Sequence, residues 1–182
     1  MKKLILAAVA AMLFGMNVSR SFAEEVGVEV STTSVEAMTI EATYRFLVPY
    51  GQSVEELMEQ GNYGLTHPQI NSENFPNKST GTVEVEIDVV RLNKPMNREG
   101  ILAELDKLSR KCTGAHELLT FGKKRPSDQL KHRIFALNSA WQRYGHDYFP
   151  NLYSYGSDRG VTLSWFADGL YEKDYRILAV RK

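Results

Sequence analysis

The stretch GTVEVEIDVVRLN, residues 81–93, alternates apolar and acidic side chains. A strand repeats its side-chain direction every second residue, so Val83, Val85, Ile87 and Val89 share one face and Glu84, Glu86 and Asp88 the other. The pattern describes a half-buried strand with a solvated outer face. Three carboxylates along one strand also suit a cation site, but alternation alone accounts for them. Such a strand needs partners and a covering layer, and the flanking sequence supplies both.

Upstream, MTIEATYRFLVPY (38–50) is rich in β-branched and aromatic residues and stops at Pro49, which reads as a second strand. Ser53 with Glu56 three residues later forms a capping box opening a short helix through Met58, closed by Gly61. Residues 62–79 hold Gly64, Pro68, Pro76 and several asparagines without hydrophobic period. They read as a long irregular connection, a class that is often functional. Asn77-Lys78-Ser79 in this connection fits a glycosylation sequon.

Downstream, Asn97 is placed to cap a helix with Ile101, Leu102, Leu105 and Leu108 on one stripe. Glu99 near its start and Lys107, Arg110 and Lys111 near its end complement the helix dipole, and Gly114 ends it. Thr113 can cap a shorter helix carrying Leu118, Leu119 and Phe121, stopped by Gly122. After a Lys-Lys-Arg-Pro loop, IFAL (134–137) reads as a strand, and residues 142–158 as an aromatic loop. VTLSWF (161–166) and YRILAV (175–180) then read as strands joined by ADGLYEKD (167–174). Strands outnumber helices and the helices cluster mid-chain. The expected fold is α+β, a mostly antiparallel sheet with two or three short helices packed on one face.

The first 23 residues stand apart. Lys2 and Lys3 precede an apolar run that is short for a membrane span, and Ser21 and Ala23 stand before Glu24 as in a cleavable signal peptide. The uncleaved alternative is an anchor, with Arg20 unusual at a cleavage site. The expected organisation is a signal at 1–23, a loosely ordered leader at 24–37 and one α+β domain over 38–182, exported to the periplasm or beyond. The signal holds three basic and no acidic residues, so a net charge of zero over the whole chain becomes −3 after Ala23. Such a balance argues against nucleic acid as a partner, and against stable membrane insertion once the signal is gone. Cys112 is the only cysteine, which excludes an internal disulfide. It reads as a buried, inert thiol at a helix end, although Lys111 beside it would favour a thiolate.

The sequence has no G-x-S-x-G elbow, Gly-rich phosphate loop or H-E-x-x-H, so no cofactor is expected from motifs. His67, His116, His132 and His146 lack metal-ligand spacing, and no metal ligands are expected. Two surfaces remain. Lys123, Lys124 and Arg125 follow a helix, and Lys131, His132 and Arg133 precede a strand. If they meet in space they form an anion-binding patch, and otherwise they are solvated cations near a helix C-terminus. Trp141, Tyr144, His146 and Tyr148 lead a ring-rich segment that includes Phe149, Tyr153 and Tyr155. It suits recognition of a sugar, a peptide or a protein, or else closes one end of the core.

Glu117-Leu118-Leu119-Thr120-Phe121-Gly122, Pro126-Ser127-Asp128-Gln129 and Leu137-Asn138-Ser139 resemble landmarks of an uncharacterised bacterial family of unknown function. Val161 to Trp165 and the closing Arg176-Ile177-Leu178-Ala179-Val180-Arg181-Lys182 belong to the same resemblance, and Tyr44 to Pro76 more loosely. The resemblance implies no catalytic residue. Members of that family often begin directly at the domain, so the export segment here is a departure that separates this chain from any role the resemblance implies. The function expected is binding rather than catalysis, with an unknown protein or a small anionic or sugar ligand as partner. The competing class is a small hydrolase using Cys112 or the pair His116 and His132.

Overall fold

The computed structural model describes residues 28–29, 33–35, 37–166, 170 and 173–182. The expected signal at 1–23, much of the expected leader and most of the 167–174 connection lie outside the described residues. No helix among the described residues is long and apolar enough to cross a membrane.

The fold is α+β, built on one mixed sheet that is mostly antiparallel. In chain order its elements begin β1 (Val28–Glu29), β2 (Thr33–Val35), β3 (Met38–Pro49), α1 (Val54–Gly61), β4 (Leu65–Thr66) and β5 (Thr82–Leu92). They continue α2 (Arg98–Lys107), β6 (Arg110–Cys112), α3 (Ala115–Lys124), α4 (Pro126–Lys131) and β7 (Arg133–Phe135). The last are β8 (Trp141–Arg143), β9 (His146–Tyr155), β10 (Asp158–Ser164) and β11 (Tyr175–Arg181). Across the sheet the order is β1-β3-β5-β11-β7-β9-β10-β4, with β11–β7 and β10–β4 parallel.

The long strand β3 is where the alternation misleads. Met38, Ile40, Ala42, Tyr44, Phe46 and Val48 recur at period two and would share one face of a regular strand. A bulge shifts the register from Ile40↔Val90 to Ala42↔Val89, leaving Glu41 as the extra residue. Met38 and Ile40 therefore pack with Val90, Leu92, Ile101 and Leu105 on one side, while Tyr44, Phe46 and Val48 pack with Ile87, Leu118 and Phe121 on the other. Neighbouring residues of β11 and β7 divide the same way, with Ile177 and Phe135 on one side and Leu178 and Ile134 on the other. The central strands are thus buried on both faces. α1 and α3 cover one face and α2 the other, so the helices do not share a single face as expected from their clustering in sequence.

Local signals carry the helices. Ser53 and Glu56 close the capping box of α1, and Asn62 ends it in the left-handed region. The Asn97 side chain accepts from the Gly100 amide at the start of α2. The expected continuation of α2 through Arg110 and Lys111 is corrected. Ser109 turns to positive φ, and residues 110–112 become β6, paired with the end of β11. α3 is capped at Gly114 rather than Thr113, whose hydroxyl donates instead to the Leu178 carbonyl. It runs through Gly122 to Lys124, and Gly122 stays because a Cβ there would lie 2.2 Å from the Tyr63 hydroxyl.

The acidic face of β5 is also corrected. Only Glu84 is fully exposed, and Asp88 is 1% exposed. Asp88 accepts from the Thr43 hydroxyl at 2.6 Å and pairs with the Arg110 guanidinium brought in by β6. Glu86 is held by Arg45 at 2.8 Å and by Arg181, and the Arg45 bond keeps its carboxyl below the usual range. Two of the strand's three acids, Glu86 and Asp88, are thus bound by arginines rather than free in solvent.

Candidate functional site

The buried polar groups mostly fix structure. Tyr50 donates to the Glu117 carboxylate at 2.6 Å, and that carboxylate also receives the Gly114 amide at the start of α3. Burial, then the bond to Glu117, pushes the Tyr50 phenol up. His116 is buried, its Nε2 lying 2.9 Å from the Gln52 carbonyl oxygen. Cys112 is 2% exposed within β6, and burial pushes its thiol up to about 12. A thiol that stays protonated and shielded is a poor nucleophile. Among the described residues no three His, Cys, Asp or Glu side chains gather as a metal-ligand set.

The two basic runs are separated by α4, a short helix where the sequence suggested a loop. Pro126 stands at its first position and Asp128 in its first turn, both favourable there. Its six residues end at Lys131. The basic side chains take different partners. Lys123 donates to Gln60 of α1 at 2.9 Å. Arg125 binds Asp128 through two nitrogens, at 3.0 and 3.2 Å, and lies 4.7 Å above the Tyr44 ring. Arg133 lies over the Tyr153 ring, while Lys124 and Lys131 are exposed at helix ends. His132 is half-buried, with a buried Nδ1 that has no hydrogen-bond partner. Burial, then the Arg176 charge, lowers its pKa. Arg125 and His132 both sit near Asp128, one from each basic run.

The ring-rich segment is not a loop. Trp141↔Tyr148, Gln142↔Asp147 and Arg143↔His146 pair across a β-hairpin whose two-residue turn is Tyr144-Gly145. Both turn residues have positive φ, 52° and 77°, as the mirror-image hairpin turn requires. Alternation sets Trp141, Arg143, His146 and Tyr148 on one face and Gln142 and Asp147 on the other, where Gln142 donates to Asp147 at 3.1 Å. The ring face continues the side of the sheet that α1 and α3 cover elsewhere, since Trp141 packs against that cluster.

Neighbouring elements complete the surface. His67, from the 62–79 connection, lies 6.1 Å from Trp141, and Trp165, just past β10, lies 4.2 Å from His146. The His67 Nδ1 accepts the Gln69 amide at 3.2 Å, and burial, then the Arg143 charge, lowers its pKa. Arg143 lies 5.5 Å from the Trp141 ring and 4.6 Å from the Tyr144 ring, and donates to the Tyr144 hydroxyl at 2.9 Å. Tyr144 is 79% exposed and Trp165 45%. Sequence reasoning singled out Trp141, Tyr144, His146 and Tyr148, and the structure brings these four onto one hairpin. It missed Arg143, His67 and Trp165. The available signal was period-two alternation on both sides of Tyr144-Gly145.

On the same side of the sheet, Arg159 of β10 ties the helices to it. Its guanidinium donates to the carbonyls of Gly61 at 3.0 Å and Gly122 at 2.5 Å and to Gln129 at 3.2 Å, and stacks 4.8 Å from the Tyr63 ring. One cation thus serves carbonyls near the ends of both α1 and α3. Gln129 in turn donates to the Tyr153 and Gly160 carbonyls, both at 2.6 Å, tying α4 to the β9–β10 hairpin. No protein-family model, curated protein or solved structure is similar to the chain.

Proposed function

We propose that this chain is an exported binding protein whose contact surface is the β8–β9 hairpin with His67 and Trp165. The observation that carries the reading is Tyr144. A bulky aromatic residue in the left-handed backbone region costs roughly 1–2 kcal/mol, yet here it occupies an exposed turn tip where Asn or Gly would relieve that cost. The core gains little from it, because the ring is mostly in solvent. Arg143 holds the ring in place from its own strand. A large, fixed and costly aromatic at a surface is what a recognition site requires and what folding alone does not. Trp, Tyr and Arg are also the side chains that carry most binding energy at protein contacts. Export goes with this reading through the expected signal peptide at 1–23.

The test is differential capture. The full chain and its Tyr144→Asn variant are immobilised side by side and exposed to envelope extract of the producing cell. The reading expects a species retained by the parent and lost by the variant while both melt at similar temperatures. Identical retention by the two would overturn it.

A further inference from the structure

We infer that the occupant of this surface is an acidic peptide segment in extended form, added along the free edge of β8 with one of its carboxylates on Arg143. The inference rests on the reading of the hairpin as a contact surface and names what it contacts.

Charge is the first observation. Most arginines of the sheet have a carboxylate: Arg45 and Arg181 have Glu86, Arg91 and Arg176 have Glu41, and Arg110 has Asp88. Among the described residues Arg143 forms no ion pair. It is exposed, and its side chain's only hydrogen bond there is the one NH2 gives to the Tyr144 hydroxyl. Its guanidinium carbon lies over two rings, and donors on the group have no partner among the described residues. A planar guanidinium held in this way is prepared for a carboxylate, which it binds through two parallel N–H bonds. The nearest hairpin acid, Asp147, is engaged by Gln142 on the opposite face.

The second observation is the edge. β8 pairs with β9, and among the described residues no strand pairs with its other side. In this register Arg143 and His146 flank the turn and exchange backbone bonds, so the amide and carbonyl of Gln142 point away from β9. An added strand bonds there and sets alternate side chains on the face that holds Trp141 and Arg143.

The third observation separates a peptide from a sugar. Trp141 and Tyr148 are inclined by 57° to each other, and His146 and Trp165 by 38°. Tilted rings offer no shared plane on which a run of flat sugar units would stack. They form notches between rings, which suit the separate side chains of an extended peptide.

The experiment follows the fluorescence of the full chain, whose two tryptophans both lie at this surface, during titration with three probes. These are a hexapeptide alternating glutamate and valine, the same peptide with lysine for glutamate, and a trimer of galacturonate. The glutamate peptide should bind, weaken with salt and lose roughly tenfold in affinity against Arg143→Ala. Arg143→Lys should recover only part of that loss, and methylation of the peptide's backbone nitrogens should abolish binding. No binding of the glutamate peptide, or equal binding of the lysine peptide, overturns the inference. Galacturonate bound in its place, with sensitivity to Tyr144→Asn, would overturn the peptide and leave the hairpin reading standing. Glutamate-peptide binding indifferent to both Arg143→Ala and Tyr144→Asn would overturn both.

Discussion

The middle of the sheet and the β8–β9 hairpin treat charge and aromatic side chains in opposite ways. Around β3, β5 and β11, arginines meet carboxylates, and Phe121 packs edge-on against Tyr44 at 5.8 Å and Phe46 at 6.1 Å. At the hairpin an arginine has rings but no carboxylate among the described residues, and a tyrosine stands 79% in solvent on strained backbone. The first arrangement is what stability selects, since each group finds its partner within the chain. The second is where the proposed partner binds.

The comparison breaks most severely where the core is cut. Phe121 is fully buried between the two aromatic residues of β3 and the helix layer. Phe121→Ala should cost about 4 kcal/mol, measured by denaturant unfolding. Asp88→Ala should cost about 3 kcal/mol, because it strands the largely buried Arg110 guanidinium. A loss below about 1 kcal/mol in either variant would mean that the paired half of the sheet is less tightly coupled than its contacts state.

Acid sharpens the comparison by acting on half-buried histidines. His132 and His67 both have pKa values lowered from 6.5, chiefly by burial. The unfolded chain therefore binds protons that the folded chain refuses, and stability must fall as pH drops below about 6.5. His132→Gln should flatten the fall on the paired side of the molecule, and His67→Gln should do so at the hairpin. Unfolding free energies measured from neutral to mildly acid pH check this, and an unchanged slope in both variants would contradict it.

Much of the fold was legible in the sequence because local signals agreed with the tertiary structure. The alternation of residues 81–93, the Ser53–Glu56 box and the Asn97 cap each correspond to an observed element. What stayed hidden depended on contacts distant in sequence. The Glu41 bulge leaves the apolar period of β3 intact while moving half of it to the other face, so nothing in the run marks the switch. Asp88 looks solvated by alternation, and only the arrival of Arg110 on β6 explains its burial. The hairpin was hidden for a different reason. Its turn is Tyr-Gly, where Asn-Gly or Asp-Gly would have announced it. The rings of the candidate site were visible as a cluster, but their common face, and the place of Arg143, His67 and Trp165 on it, required the hairpin register.

The central claim is that the hairpin tip is shaped for a partner at some expense to folding, and Tyr144→Asn tests it most directly. Asparagine tolerates the left-handed backbone better than tyrosine, while the stacking of Arg143 is lost. Paired measurements of unfolding free energy and of affinity for the glutamate–valine peptide should show stability unchanged or raised by up to about 1 kcal/mol. Affinity should fall roughly tenfold in the same variant. Lower stability with affinity retained would contradict the account and make Tyr144 a structural residue.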